Sequence, residues 1–224
     1  MARGIHWALN HGACGDDYIL MLNDDTEFES DLVQRLVKAS GDMDAAVAAM
    51  TLDSQDRTCI LDAGTYLNWV DYRYLTITEL DSDSNGRYDV DVLPGRATLV
   101  PVRMIMKAGN VDSERFPHYL ADYEFFYRLK SHGFRIGVTY TTYVASHSEM
   151  TGLSVMRNTQ YSLRERMALL GSRRSMYNVL DHLRFVMRWG PKGRRTGIVI
   201  RAAARLLFKG LGRKAASPVD GAEA

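Results

Sequence analysis

The chain has 224 residues, of which 46% are hydrophobic and 25% are charged, and its formal net charge is +1. This composition predicts a folded domain with a substantial core, and the two cysteines exclude a disulfide-rich scaffold. No apolar run reaches the roughly 20 residues that a membrane-spanning helix needs, and the first residues lack the apolar stretch of a secretory signal. The near-zero charge predicts no nucleic-acid partner, and free cysteines fit a cytoplasmic location.

In chain order, the apolar periodicity predicts helices and strands in alternation. Helices are predicted at residues 4–15 (with a turn), 29–40, 102–108, 121–132, 162–170, 176–189 and 196–207. Strands are predicted at residues 18–23, 45–52, 65–70, 74–80, 89–93, 97–101 and 135–140. Mixed elements of this kind, with a parallel-type start, predict an α/β fold.

An apolar strand that ends in two carboxylates is the most informative local feature. Residues 18–22 predict a buried strand, and Asn23, Asp24 and Asp25 follow it directly. Carboxylates crowded at the end of a sheet strand favour a divalent cation, and oxygen ligands suit Mg²⁺ or Mn²⁺. The alternative is a helix N-cap, because Asn, Asp and Thr cap helices well and residues 27–38 are compatible with a helix.

A second feature is an acidic helix start within an aromatic segment. Asp122 begins the helix predicted at residues 121–132, where free backbone N–H groups stabilise a carboxylate. Phe125 and Phe126 supply apolar surface beside it, and a carboxylate in such surroundings suits general-base catalysis. The alternative is an ordinary N-cap aspartate on an amphipathic helix.

A third feature is His147, which follows the strand predicted at residues 135–140. A histidine beyond a strand end can ligate a metal or contact a phosphate, but a lone histidine is more often structural or on the surface. Because sites are assembled from several loops, its distance along the chain from Asp25 does not separate the two.

The order of these motifs resembles that of the family 2 glycosyltransferases, which have the GT-A fold. Within that family the resemblance is closest to the rhamnosyltransferase-like enzymes of bacterial cell-surface polysaccharide biosynthesis. It covers residues 3–151 and rests on residues 22–25, 95–101, 109–112 and 116–129, followed by Gly133 and His147. The expected fold is therefore α/β: a GT-A-like, incomplete Rossmann-like mixed sheet flanked by helices, with a helical basic C-terminal extension.

The resemblance implies a role for each matching residue. Asp25, with Asp24 and His147 nearby, would hold the Mg²⁺ or Mn²⁺ ion that binds the donor diphosphate. Asp122 would be the general base for the acceptor hydroxyl, although Ala121 stands where the family often has glutamate. The implied donor contacts are Asn23, Trp7 and Asn10, and the implied acceptor contacts are Gly95, Arg96, Tyr123 and Glu124.

The implied reaction transfers a sugar from a nucleotide-sugar donor to a glycan or lipid-linked acceptor, with inversion at the anomeric carbon. The metal would offset charge on the leaving diphosphate while Asp122 takes the proton. Family members begin with a strand and a helix that hold the nucleotide base, and this chain starts after that region. We therefore expect residues 1–224 alone to bind nucleotide sugar weakly. The alternatives are a truncated, non-catalytic glycosyltransferase-like domain that acts as a partner or relic, and a metal-dependent phosphohydrolase.

The last third of the chain is rich in arginine and lysine. The pattern predicts a catalytic domain at residues 1–155, a basic helical region at 156–214 and a disordered tail at 215–224. The basic helices fit an interfacial helix on an anionic membrane surface, which would place the protein peripherally on the inner face of the plasma membrane. They fit equally a helical face that packs on the domain or on a second subunit.

Overall fold

The computed structural model describes residues 1–80, 84–117, 120–147, 168, 170–172 and 178–211. Its helices are α1 (Ala2–Asn10), α2 (Leu32–Met43), α3 (Val102–Ala108), α4 (Ala121–Ser131), α5 (Val179–Trp189) and α6 (Arg195–Leu211). Its strands are β1 (Tyr18–Met21), β2 (Thr26–Phe28), β3 (Ala45–Asp53), β4 (Ile60–Asp62), β5 (Thr65–Asn68), β6 (Arg73–Thr76), β7 (Gly86–Arg87), β8 (Thr98–Pro101) and β9 (Arg135–Ser146).

Most of the predicted elements are present, with shifted ends. Strand β9 runs six residues beyond its predicted end, and the strand predicted at residues 89–93 is only a single bridge between Thr65 and Val92. Strands β2, β4 and β7 were not predicted, because runs of two or three residues carry no periodicity. Most of the helix predicted at 162–170 and all of the tail predicted at 215–224 lie outside the described residues.

The main sheet has the strand order β1-β8-β3-β9-β2, with β4 paired to β3 and β7 paired to β9. Strands β3 and β9 are parallel, whereas β8 is antiparallel to both β1 and β3. The carboxyl ends of β1, β3 and β9 therefore lie at one edge of the sheet, together with the start of β8. Open α/β sheets bind their ligands at such an edge.

Strand β3 forms the centre of the fold because its side chains are small and point alternately to two cores. Ala46 and Ala48 belong to the core that also contains residues of α1, α3 and α4, including Phe125 and Phe126. Ala45, Val47 and Ala49 belong to the core on the other face, which α2 covers with Leu32 and Leu36. Burying each large apolar side chain of these cores stabilises the fold by about 1.5–3 kcal/mol.

The basic C-terminal helices pack on the rest of the protein. The β5–β6 hairpin supplies Leu67 and Tyr72 to a third core, which also contains Phe185 of α5 and Ile198 and Ala202 of α6. Ile198 and Ala202 of α6 are thus buried against the domain, as in the packing alternative. No described helix is both long and apolar enough to cross a bilayer.

Candidate functional site

A cleft of about 520 Å³ brings together residues from four of the predicted motif segments, at 22–25, 95–101, 109–112 and 116–129. Its lining includes Asn23, Gly95, Arg96, Ala121 and Asp122. The apolar part of the lining comes from Val111, Pro117, Pro94, Met1 and Ala2. Asn23 of the first acidic motif and the start of α4, which are about a hundred residues apart in the chain, therefore face one cavity, whereas Asp24 and Asp25 are not among its lining residues.

Strand pairing explains how these segments meet. Strands β1 and β8 are antiparallel, and Met21 at the end of β1 lies opposite Thr98 at the start of β8. The residues that follow β1 and the residues that precede β8 therefore leave the sheet at the same place. This register sets Asn23 beside the loop that contains Gly95 and Arg96.

Asp122 lies in the first turn of α4 and is partly buried. Its Oδ2 accepts the backbone N–H of Gly95 over 2.8 Å, and its Oδ1 accepts the N–H of Tyr123 over 2.9 Å. The N-cap position belongs to Leu120, so the alternative of a capping Asp122 is wrong. Burial raises the pKa of Asp122 from its ordinary 3.8 to about 6, against the two backbone hydrogen bonds and nearby Arg96, which lower it. A carboxyl whose pKa is raised toward neutrality suits the role of a general base near neutral pH.

The loop before β8 is held in a strained conformation beside Asp122. Ala97 has a φ of +49° and is fully buried, a backbone geometry that costs a non-glycine residue on the order of 1–3 kcal/mol. Its carbonyl accepts the N–H of Ala49 over 3.0 Å, and the Thr98 hydroxyl donates to Pro94 O over 2.6 Å. These bonds offset the strain and fix Gly95 and Arg96 at the cleft.

Asp62 is a candidate that sequence reasoning missed. It ends β4, and its electrostatic neighbours include Arg96 and Asp122. Burial raises the pKa of Asp62 to about 6, the hydrogen bond from Gly64 and the charge of Arg96 lower it, and the charge of Asp122 raises it. The only sequence signal was an aspartate in a short apolar segment before a glycine, which is too common a pattern to single out.

The segment between β1 and β2 carries the predicted metal ligands Asp24 and Asp25. Since β1 and β2 stand at opposite ends of the strand order, residues 22–25 run past the ends of the intervening strands. A strand follows Asp25, and α2 begins only at Leu32 with Asp31 as its N-cap, so the alternative of a helix cap at residues 24–25 is wrong. Asp25 Oδ1 is buried without a hydrogen-bond partner, whereas Asp24 is exposed.

His147 lies close to this segment. Strands β2 and β9 pair with Thr26 opposite Ser146, so Asp25 and His147 occupy neighbouring positions just beyond the pairing. The His147 ring contacts Ser54 Oγ through Nδ1 at 3.0 Å and Glu27 Oε1 through Nε2 at 3.5 Å. Both of its nitrogens therefore have protein neighbours.

The carboxylate oxygens of Asp24 and Asp25 suit a divalent ion that keeps part of its water. Within the described residues, no three or more His, Cys, Asp and Glu side chains come together as a complete metal-binding group. Mg²⁺ does not require one, because it is usually held by one or two carboxylates together with water and substrate phosphates. Asp25, with its unpartnered buried oxygen, fits such a ligand, and its neighbour in the chain, Asp24, is exposed.

Two predicted donor contacts lie elsewhere. Trp7 is 62% exposed and stacks on His11 with 4.2 Å between ring centroids, while the Asn10 side chain contacts His6 at 3.0 Å. Neither Trp7 nor Asn10 is among the residues that line the cleft. The structure therefore does not bring these two residues to the site.

Two predicted acceptor contacts, Glu124 and Tyr123, are packed against other side chains of the protein. Glu124 is fully buried, and its carboxylate faces Arg128 Nε at 3.3 Å, Trp189 Nε1 at 3.3 Å and Arg188 Nη1 at 3.4 Å. It joins α4 to α5 and is inaccessible to an acceptor. Tyr123 packs its ring 5.0 Å from that of Tyr74, in the aromatic cluster around the third core.

Comparison with known proteins shows a fold and no family. A scan against protein-family models and a search of curated proteins gave no match. Among solved structures, the chain is similar to a crystal structure of GalNAc-T7 with UDP, GalNAc and Mn²⁺. The TM-score is 0.50, and the two sequences are 10% identical. The match covers 91% of this chain but only 40% of that one. The protein therefore has a mixed α/β fold similar to that of the GT-A glycosyltransferases, as the sequence predicted.

Proposed function

We propose that the protein is a metal-dependent glycosyltransferase that moves a sugar from a nucleotide-sugar donor to a hydroxyl acceptor. One observation carries this proposal: the cleft joins Asn23, at the acidic segment after β1, to Asp122 at the start of α4. A transfer site needs a diphosphate-binding end and a base within one cavity. The similarity of the fold to that of a structure with UDP and Mn²⁺ supports the same assignment.

Asp122 serves as the general base. Its carboxyl faces the cleft, and its two backbone hydrogen bonds fix its orientation. The acceptor hydroxyl gives its proton to Asp122 as the oxygen attacks the anomeric carbon and the bond to the diphosphate breaks. We propose that attack and departure occur on opposite sides of the sugar, which inverts the anomeric centre.

Asp25, with Asp24, would hold the divalent ion of the donor complex. Mg²⁺ or Mn²⁺ there would supply Lewis-acid stabilisation of the leaving diphosphate. Asn23 directly precedes these carboxylates in the chain and lines the cleft, so we assign it a contact with the donor. Gly95 and Arg96 lie on the side of Asp122, where we place the acceptor.

The finer parts of the assignment also stay proposals. They are a rhamnosyltransferase-like specificity, a glycan or lipid-linked acceptor, a role in bacterial cell-surface polysaccharide biosynthesis and a cytoplasmic location. Contact with an anionic membrane would use the exposed cations Lys192, Arg194 and Arg201, because Ile198 and Ala202 of the same helix are already buried. Such contact would be electrostatic and weakened by salt.

The test is acceptor-dependent release of nucleoside diphosphate. A panel of UDP-, dTDP- and GDP-sugars is incubated in Mn²⁺ or Mg²⁺ with glycoside and polyprenyl-phosphate-linked sugar acceptors. We expect release from at least one donor, dependent on both metal and acceptor and lost in Asp122→Asn. Release that Asp122→Asn leaves unchanged, or no release in any combination, contradicts the proposal and favours the non-catalytic alternative.

A further inference from the structure

Arg96 is a half-buried cation in the cleft without a protein partner. Arg96 and Asp122 are the only basic and the only acidic side chains among the described residues that line this cavity. The Nε atom of Arg96 is buried without a hydrogen-bond partner, and within the described part of the chain its side chain forms no hydrogen bond or ion pair. A buried guanidinium nitrogen that is left unpaired costs free energy, which an anion offsets by accepting its hydrogen bond.

The nearest proposed catalytic group does not neutralise this charge. Both oxygens of Asp122 accept backbone N–H groups, one of them from Gly95 over 2.8 Å, and neither forms an ion pair with Arg96. Arg128 of α4 shows the contrast, because this buried arginine pairs with the carboxylate of Glu124 at 3.3 Å. The charge of Arg96 therefore remains available to a ligand in the cleft.

The backbone on both sides of Arg96 is fixed. Before it, Gly95 donates to the Asp122 carboxylate, and a Cβ on residue 95 would lie 3.4 Å from Asp122 Cβ, so this loop packs closely on the first turn of α4. After it, Ala97 is buried with a φ of +49°, and its carbonyl accepts the N–H of Ala49 over 3.0 Å. Strained backbone of this kind is common at ligand-binding positions. Arg96 thus enters the cleft from a rigid support, next in the chain to the residue that binds the proposed base.

We propose that Arg96 is a specificity-determining residue that binds an acidic group of the acceptor, a phosphate or a carboxylate carried beside the hydroxyl that Asp122 deprotonates. The planar guanidinium can donate to two oxygens of such a group in parallel. The donor diphosphate is assigned to Asp25, which does not line the cleft, whereas Arg96 adjoins the glycine that binds the base. This inference rests on the function proposed above and names its acceptor class.

Binding of matched sugars, without donor and in metal-free buffer, tests the assignment. Methyl glucoside, methyl glucuronide and glucose 1-phosphate supply a neutral sugar, a carboxylate and a phosphate. Each is added to the full chain at millimolar concentrations and followed by amide NMR. We expect shifts at Gly95, Arg96 and Ala97 with an acidic sugar, which should bind about tenfold or more tightly than the neutral glucoside. The tighter of the two acidic sugars identifies the group as carboxylate or phosphate.

Three variants make the result specific. Arg96→Gln removes the charge and should weaken binding of the acidic sugar by about 10–100-fold, while binding of the neutral glucoside stays the same. Arg96→Lys retains the charge without the planar fork and should bind with intermediate affinity. Arg35→Gln is the matched control, because this arginine pairs with Asp31 on α2, and it should bind as wild type. Circular dichroism checks that each variant is folded.

The outcomes separate this inference from the proposed function. Equal binding of the three sugars by wild type, no shift with either acidic sugar, or an unchanged preference in folded Arg96→Gln overturns the inference. Shifts confined to Asn23 and Asp25 overturn it as well, since they place the anion at the donor end. A preference for acidic sugars in a chain that transfers no sugar contradicts only the proposed function. Transfer by a chain without that preference contradicts only the inference.

Discussion

The backbone N–H of Gly95 donates to Asp122 Oδ2 over 2.8 Å, which ties the loop before β8 to the first turn of α4. Through the register of β8 with β1, the same loop lies beside the acidic segment that follows β1. One hydrogen bond and one strand pairing therefore fix the distance between the proposed base and the proposed diphosphate end. Positioning of this kind supplies a large part of the rate enhancement in two-substrate reactions.

Replacing the proposed base should stop the reaction. Asp122→Asn retains the size of the side chain but removes its ability to accept a proton, so we expect transfer to fall by about 10²–10⁴-fold. Donor binding should change little, because Asp122 lies at the acceptor end. Rate and donor affinity are measured separately, by product release and by calorimetry. Glu114→Gln, an exposed charge nearby in the chain, is the matched control and should behave as wild type.

Asp25→Asn should weaken the use of metal. The unpartnered Oδ1 of Asp25 is the atom expected to bind the ion, and an amide is a poorer ligand for Mg²⁺ than a carboxylate. We expect the half-saturating Mg²⁺ concentration to rise by about tenfold or more, with the fold intact by circular dichroism. Asp31→Asn is the control, since this carboxylate pairs with Arg35 on α2. Equal metal requirements in wild type and Asp25→Asn would rule out the assignment.

Glu124 should matter for stability and not for acceptor recognition. Glu124→Ala leaves Arg128 buried without its carboxylate partner, which costs on the order of 3–5 kcal/mol of unfolding free energy. Urea denaturation measures the loss. The matched control, Asp42→Ala, breaks an exposed i,i+4 pair with Lys38 and should cost under about 1 kcal/mol. A small effect of Glu124→Ala, together with a large rise in acceptor KM, would restore its predicted acceptor role.

Asp62→Asn should change stability with a defined pH dependence. Burial raises the pKa of Asp62 from 3.8 to about 6, so the folded chain binds this proton more tightly than the unfolded chain. Wild type therefore loses stability as the pH rises from about 4 to about 6, and Asp62→Asn does not incur this loss. Since each unit of pKa difference corresponds to about 1.4 kcal/mol, we expect the variant to gain about 3 kcal/mol relative to wild type between pH 4 and pH 8.

Asp56→Asn should show the opposite trend. Hydrogen bonds from Thr58 lower the pKa of Asp56, so wild type gains stability from this carboxylate as the pH rises, and the variant loses that gain. Urea titrations at both pH values compare the two variants with wild type. The same pH trend in both variants would contradict the burial argument for Asp62.

The sequence predicted the parts of the fold that have strong periodicity. Strand β3 and helix α3 were predicted within one residue, because a long apolar run and a helix between Pro101 and Gly109 are unambiguous. Strand β2 was missed because residues 26–28 form a run too short to show periodicity, and their pairing with β9 is a tertiary effect. The presence of this strand shows that Asp25 is not a helix cap, whose carboxylate would accept a backbone N–H of the first helical turn.

The structure brings only some of the predicted site residues to the cleft, again because contacts between distant segments are not visible in the sequence. Asn23, Gly95, Arg96 and Asp122 belong to ordered motifs, and the structure brings all four to one cleft. Glu124 was misjudged because helical spacing alone does not tell which face meets α5. Asp62 was missed because its neighbours come from distant segments, so only the folded arrangement places it near Arg96.

The most direct measurement of the central claim is an amide NMR titration of the full chain with UDP and with dTDP, in Mg²⁺ and then in EDTA. Ligand is added to millimolar concentration. Shifts are predicted at the amides of Asn23, Asp25 and Gly95, to vanish in EDTA and to be absent from Asp25→Asn. Shifts confined to another surface, or identical with and without metal, would contradict a metal-held diphosphate at this cleft.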